Sequence, residues 1–130
     1  MPLGQFDERN IVQATADLDD SATPGAYVAL VAAQNVDYRI DTLQVYNSDI
    51  IAHQVRFNVN GSSNDQSNAV VVTVPAGSGY GSPPVDALAI GMPSAYHYVM
   101  AWFGPVVQWT VDEAINTGKK VHVFLQGGSF

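Results

Sequence analysis

The feature that most constrains the fold of this chain is a series of short apolar runs separated by clusters of glycine, proline and asparagine. Apolar residues recur mainly at every second position, which is the period of a β-strand with one buried face. The predicted strands cover residues 25–33, 38–46, 53–59, 69–74, 96–103, 106–111 and 120–125. No segment has a helical period long enough to connect parallel strands. The pattern therefore predicts an all-β fold, an antiparallel β-sandwich or jelly roll of about seven or eight strands.

Local departures from this alternation predict finer features. In strand 38–46, Tyr38 and Ile40 lie on one face whereas the apolar Leu43 and Val45 lie on the other, so we expect a bulge or a change of face near Thr42. Residues 85–90 fit a short strand or a helical turn, and residues 112–115 fit one helical turn. The glycine-rich residues 126–130 are expected to form a tail after the last strand.

The length of 130 residues fits a single domain. We expect an N-terminal arm over residues 1–20, because this stretch is weakly patterned and of a kind that orders on binding. A disordered segment and a first strand are the alternatives for the arm, and residues 21–130 are expected to form the β-sandwich. The first ten residues contain no apolar signal region, so we expect folding in a cytosol or export together with another protein.

The charge balance argues against two classes of partner. Charged residues make up 13% of the chain, and twelve acids against five bases give a net charge of −7. Nucleic acids and anionic lipids attract basic surfaces, so we expect neither nucleic acid nor a membrane as a partner. The low share of charge has two explanations. The surface is covered by other chains in an assembly, or it is rich in uncharged polar residues.

Catalytic and metal-binding motifs are absent from the sequence. It contains no cysteine, and its three histidines, His53, His97 and His122, are not spaced as metal ligands. The acidic cluster Asp17, Asp19 and Asp20 lacks the glycine and distal glutamate of a calcium loop. We therefore expect no cofactor and no enzymatic activity.

One catalytic alternative is compatible with the sequence. In it the chain is a small hydrolase in which Asp112 or Glu113 acts together with a histidine as acid and base.

Aromatic residues are concentrated in the second half of the chain. Tyr80, Trp102 and Trp109 are candidates for an exposed platform that stacks on sugar rings or on another protein. The competing interpretation makes one tryptophan a core residue of the sandwich. Alternation alone does not separate the two, because both faces of the predicted strand 96–103 are apolar.

A longer pattern resembles a known class of protein. The run IDTLQVYNSDIIAHQVRFNVNG, residues 40–61, resembles a segment of the small β-sandwich virion proteins of tailed bacteriophages. In that segment a strand of the type I-x-x-L-x-V-x-N is followed by a short turn and then by A-x-x-V-x-F/L. The glycine- and proline-rich stretch after residue 74 and the two closing strands fit the same layout, so the resemblance covers residues 38–130.

This resemblance implies a structural role on a virion. It implies a capsid decoration or cement protein, made in the bacterial host cytoplasm, that stabilises the head by binding the major capsid protein or other virion proteins, often as a homotrimer. The alternative is a carbohydrate- or receptor-binding module of a phage tail or fibre. The candidate contact or display residues lie in the arm, the loops, the aromatic positions and the C-terminus: Phe6, Arg9, Asn60, Asn64, Asp65, Tyr80, Trp102, Trp109 and Phe130.

Overall fold

Two antiparallel β-sheets stack face to face in the computed structural model, which describes residues 11–31, 37–59, 69–90, 97–99 and 107–129. The strands are β1 Ile11–Asp19, β2 Val28–Val31, β3 Tyr38–Asn47, β4 His53–Val59, β5 Ala69–Val74, β6 Val85–Asp86, β7 Tyr98–Val99, β8 Val107–Val111 and β9 Lys120–Ser129. The first sheet has the order β1-β9-β3-β6, with β7 also paired to β3, and the second has the order β2-β8-β4-β5. This architecture confirms the all-β antiparallel sandwich.

The core lies between the two sheets and consists mainly of valine. β-Branched side chains suit this position because they pack well on a pleated surface and are already restricted in rotamer. Trp109 of β8 and Phe57 of β4 fill its centre, with their rings stacked at a centroid distance of 6.5 Å. Both are fully buried, so the largest side chain of the second sheet belongs to the core.

Strand β3 changes face where the alternation of the sequence predicts it. Its pairing with β9 shifts register between Ile40 and Thr42, which is the predicted bulge near Thr42. Tyr38 and Ile40 before the shift and Leu43 and Val45 after it are all buried. One extra residue in the strand therefore lets two out-of-phase apolar series fill the same core.

Both ends of the chain differ from the predicted organisation. Ile11–Asp19 form β1 and pair with β9 over nine consecutive positions, so the first-strand alternative applies to this part of the expected arm. Residues 126–129 were expected in a tail, but they extend β9, because Gly127 and Gly128 continue the pairing with β1 and β3. Residues 1–10 lie outside the described residues.

The predicted short segments agree with the structure to different degrees. Residues 85–90 combine both predicted forms, since Val85–Asp86 pairs with β3 and Ala87–Ile90 makes a single helical turn. The expected helical turn at 112–115 is wrong, because the chain bends there without helical structure and buries Ile115. Of the predicted strand 96–103, residues 97–99 are described, and Tyr98–Val99 of these form β7.

Gly127 provides a test of the packing at the bulge. A Cβ at this position would overlap the carbonyl oxygen of Arg39, which is backbone and cannot rotate away. We expect Gly127→Ala to lower the free energy of unfolding by about 1–3 kcal/mol, as overpacking does. Urea denaturation measures this change. Gln126→Ala is the matched control, because the neighbouring Gln126 side chain is exposed and its loss should cost no more than about 0.5 kcal/mol. Equal stability of the two variants would contradict the packing.

Candidate functional site

A buried polar cluster joins the two sheets at one end of the sandwich. It begins at Asn47, the last residue of β3, whose side-chain amide donates to the carbonyls of Ile51 and Val74 at 3.0 and 3.1 Å. The Asn47 side-chain oxygen accepts from the backbone N–H of Asp49 at 2.9 Å. Asn47 thereby binds backbone groups of the turn between β3 and β4 and of the end of β5.

His53 lies between two carboxylates within this cluster. Its Nε2 is 2.8 Å from Oδ2 of Asp49, and its Nδ1 is 3.3 Å from Oδ1 of Asp112. His53 and Asp49 are fully buried, whereas the side chain of Asp112 is 30% exposed. A neutral imidazole donates from one nitrogen only, so the protonated ring alone can donate to both carboxylates.

Asp49 is the most highly coordinated acid of the cluster. Burial favours its neutral form, but its carboxylate accepts from His53, from both the side chain and the backbone N–H of Asn116, and from the Ile50 N–H. These hydrogen bonds outweigh the burial and hold the pKa of Asp49 well below its usual range. The ionised carboxylate therefore fixes residues 112–116, which connect the two sheets, to the turn after β3.

This cluster brings together the histidine and the aspartate of the hydrolase alternative. Asp112 does contact His53, but the second ring nitrogen faces Asp49, so neither nitrogen is directed at an open cleft. A general base must reach a proton on the substrate or on a nucleophile. Glu113, the other acid of that alternative, is exposed. The cluster instead connects the two sheets. We call it the corner cluster and define it by its residues: Asn47, Asp49, His53, Asp112 and Asn116.

The outer face of the five-stranded sheet is the second candidate region. Pairing across β1, β9 and β3 forms rows of outward side chains: Asp17, His122 and Tyr46; then Thr15, Phe124 and Gln44; then Gln13, Gln126 and Thr42. None of these nine side chains is buried. By contrast, Asn58 and Thr110 are buried although they point to the outer side of the four-stranded sheet. We call the three rows the outer face.

Tyr46 is the centre of an aromatic group on the outer face. Its ring meets the rings of His122 and Tyr80 edge-to-face, at centroid distances of 5.5 and 6.3 Å. Gly79 has a positive φ of 83° and lies so close to Tyr46 that a Cβ there would overlap the ring. Only glycine combines this backbone conformation with this approach, so the loop containing Tyr80 is seated directly on the sheet.

The acidic cluster of the N-terminal region is divided among three separate partners. Asp17 contacts His122 at 2.5 Å, Asp19 accepts from the N–H and hydroxyl of Ser21, and Asp20 accepts from the Gly118 N–H at 2.9 Å. The hydrogen bonds from Ser21 lower the pKa of Asp19. Among the described residues, no group of three histidine, aspartate or glutamate side chains is arranged to hold a metal ion.

The predicted contact residues fall into three groups. Tyr80 is 52% exposed and lies beside the outer face, as a platform residue requires. Trp109 is fully buried against Phe57, so its prediction as a display residue is wrong and the core interpretation applies. The remaining predicted residues lie outside the described part of the chain: Phe6, Arg9, Asn60, Asn64, Asp65, Trp102 and Phe130.

Sequence reasoning did not find Tyr46, His122 and Phe124 as partners on one face. The signal was present in the alternation, because Tyr46 follows the bulge in β3 while His122 and Phe124 are the outward positions of the run VHVFL. Alternation does not reveal that β3 and β9 are adjacent, because these two strands are far apart in the sequence.

Comparison with protein-family models, with curated proteins and with solved structures finds no match to this chain. No helix among the described residues is long and apolar enough to span a membrane.

Asp49 makes the free energy of unfolding depend on pH. Its pKa is lower in the folded chain than the value of about 3.9 in an unfolded one. Its contribution to stability is therefore complete above about pH 4 and is lost as the pH falls from there toward the folded pKa. We expect Asp49→Asn to lower the free energy of unfolding at pH 7 by about 2–4 kcal/mol and to flatten its decline below about pH 4.

Urea denaturation at a series of pH values measures both effects. Glu113→Gln is the control, because Glu113 is an exposed acid next to the cluster, and its change at pH 7 should stay within about 0.5 kcal/mol. If the stability of Asp49→Asn runs parallel to that of the wild type throughout the acid range, the ionised role of Asp49 is refuted.

Proposed function

We propose that this chain is a structural protein of a bacteriophage virion, a decoration or cement protein that stabilises the head. Its partners are the major capsid protein or other virion proteins and further copies of itself, most simply as a trimer. It is made in the bacterial host cytoplasm and functions on the capsid surface. Its action is mechanical, because surface buried between neighbouring subunits raises the free energy needed to separate them.

The observation that carries the proposal is the open side of the sandwich. There β1 and β2, the edge strands of the two sheets, flank a cleft of about 420 Å³. Its apolar lining comes from Leu18, Ala22, Ala26 and Val28. Among the described residues, β9 is the only strand paired with the nine-residue β1. A long open edge beside apolar surface favours association with another chain.

The segment that carries the resemblance to virion proteins also has a physical role. Its Ile40, Leu43 and Val45 are core positions of one sheet, and its Val55 and Phe57 are core positions of the other. Asn47 between them is the buried anchor of the turn. The pattern therefore describes one corner of a sandwich, which supports the proposal at the level of local fold.

A second candidate function is binding of a carbohydrate or receptor by a module of a phage tail or fibre. The observation that favours it is Tyr80, an exposed aromatic side chain seated beside the outer face.

Self-association through the open side is directly testable. We expect light scattering over a range of concentrations to give a stable trimer, with a mass three times 13.9 kDa. Val28→Glu places a carboxylate in the cleft beside Asp17 and Asp19 and should produce the monomer, since like charges repel across the interface.

Val71→Glu is the matched control for this experiment. Val71 is 40% exposed and Val28 is 41% exposed, and Val71 lies on β5, the opposite edge of the same sheet. It should leave the trimer intact. Binding to empty phage heads is then measured by co-sedimentation, and we expect wild type to raise the temperature at which the heads open. A wild-type chain that is monomeric at every concentration and does not bind heads contradicts the proposal.

A further inference from the structure

The centre of the outer face combines aromatic rings with side-chain amides. Tyr46 on β3 lies directly opposite His122 on β9, about 5 Å away across the sheet, and Phe124 is the next outward residue of β9. Gln44 lies opposite Phe124, and its Oε1 accepts from the Tyr46 hydroxyl at 3.3 Å. The amide nitrogen of Gln44 therefore remains as a donor toward the surface. The face offers ring surface together with hydrogen-bonding groups of both kinds.

Tyr80 is held at the margin of this face by an ordered loop. The Tyr80 N–H donates to the carbonyl of Gly77 at 2.8 Å, and the Gly79 N–H donates to the carbonyl of Ser82 at 2.7 Å. The carbonyl of Ser78 accepts from the Asn47 N–H at 2.9 Å, which ties the loop to the end of β3. Tyr80 is thus an exposed ring on a fixed support, and a ligand that stacks on it does not first have to order the loop.

The charges around the face restrict the ligand. Two basic side chains that border it already lie beside carboxylates. Arg39 Nε is 2.8 Å from Oδ1 of Asp41, and Lys120 Nζ is 3.9 Å from Oδ2 of Asp17. Asp17 and Asp86 add exposed negative charge to a chain whose net charge is −7. Polyanions, including acidic glycans and anionic lipids, are therefore disfavoured.

An uncharged oligosaccharide matches the ring surface and the hydrogen-bonding groups of the outer face. The polarised C–H groups on one side of a sugar ring complement the negative face of an aromatic ring, and its hydroxyls both donate and accept hydrogen bonds. Fixed ring surface bordered by a few amide and carboxylate groups is the usual composition of a site for a neutral, polar ligand. A face that extends across three strands also suits a chain of sugars better than a single one.

We infer that the outer face around Tyr46, Tyr80 and His122 is a binding site for neutral oligosaccharides. The Tyr80 ring stacks on a sugar, the amide of Gln44 donates to a hydroxyl, and Asp17 accepts from another while it orients His122. This site gives the second candidate function its residues. It lies on the outer side of the five-stranded sheet and shares Asp17 with the lining of the cleft between β1 and β2.

The first experiment screens the full chain on an array of neutral hexose oligosaccharides, with maltohexaose and cellohexaose among them, and with 3′-sialyllactose as the acidic comparison. We expect binding to at least one neutral oligosaccharide with a Kd of about 0.1–1 mM and none to the sialylated one. Titration of the best neutral ligand into ¹⁵N-labelled protein should shift the backbone amide signals of Tyr46, His122 and Phe124.

Tyr80→Ala tests the stacking platform, and Tyr98→Ala is its matched control. Tyr98 is 42% exposed and lies on the same side of the same sheet, opposite Arg39 at the far end of β3. We expect Tyr80→Ala to weaken binding about tenfold and Tyr98→Ala to leave it unchanged.

Three outcomes overturn the inference. The first is no binding of any neutral oligosaccharide tighter than about 10 mM. The second is an equal loss of affinity in both tyrosine variants, and the third is a set of shifted amides that lies away from the outer face. Trimer formation and head binding are measured separately through Val28→Glu, so failure of the oligosaccharide site and failure of the virion role can be told apart.

Discussion

The hydrogen bonds of Asn47 are the constraint on which the rest of the structure depends. A sandwich needs a segment that leaves one sheet and enters the other, and backbone groups in that segment pair with neither. Asn47 satisfies them from a fully buried position, and Asp49 and His53 extend the same network to the connection before β9. Because the backbone N–H of Asn47 also donates to the carbonyl of Ser78 in the β5–β6 loop, one residue sets the positions of the turn, the loop and the end of β3.

The outer sides of the two sheets differ in exposure. The corner cluster fixes the sheets to each other without occupying the outer side of β3 and β9, so that side remains open and carries aromatic rings. On the four-stranded sheet, outward polar residues such as Asn58 and Thr110 are buried. The proposed binding surface lies on the outside of one sheet and the proposed assembly surface at the open edge of both, and the two share Asp17.

The sequence predicted the fold class and most strands, because alternation and turn residues are local signals. The bulge near Thr42 was predicted for the same reason. Local pattern failed where partners are distant in the chain. The glycines after Leu125 indicate a tail, yet β1 and β3 hold them in β9, and Trp109 was as consistent with display as with the core until Phe57 was placed beside it. The corner cluster was missed because Asp49 and Asn116 are ordinary turn residues until the fold brings them together.

The position of β9 has a consequence for how this chain is made. The last described strand in chain order, β9, lies between β1, the first described strand, and β3, so the five-stranded sheet has no centre until β9 has been made. The strands of the other sheet are all contained in residues 28–111 and can meet earlier. Because pairing between distant segments is slow, the newly made chain passes through a stage in which β1 and β3 each expose an unpaired edge and half of the core is uncovered.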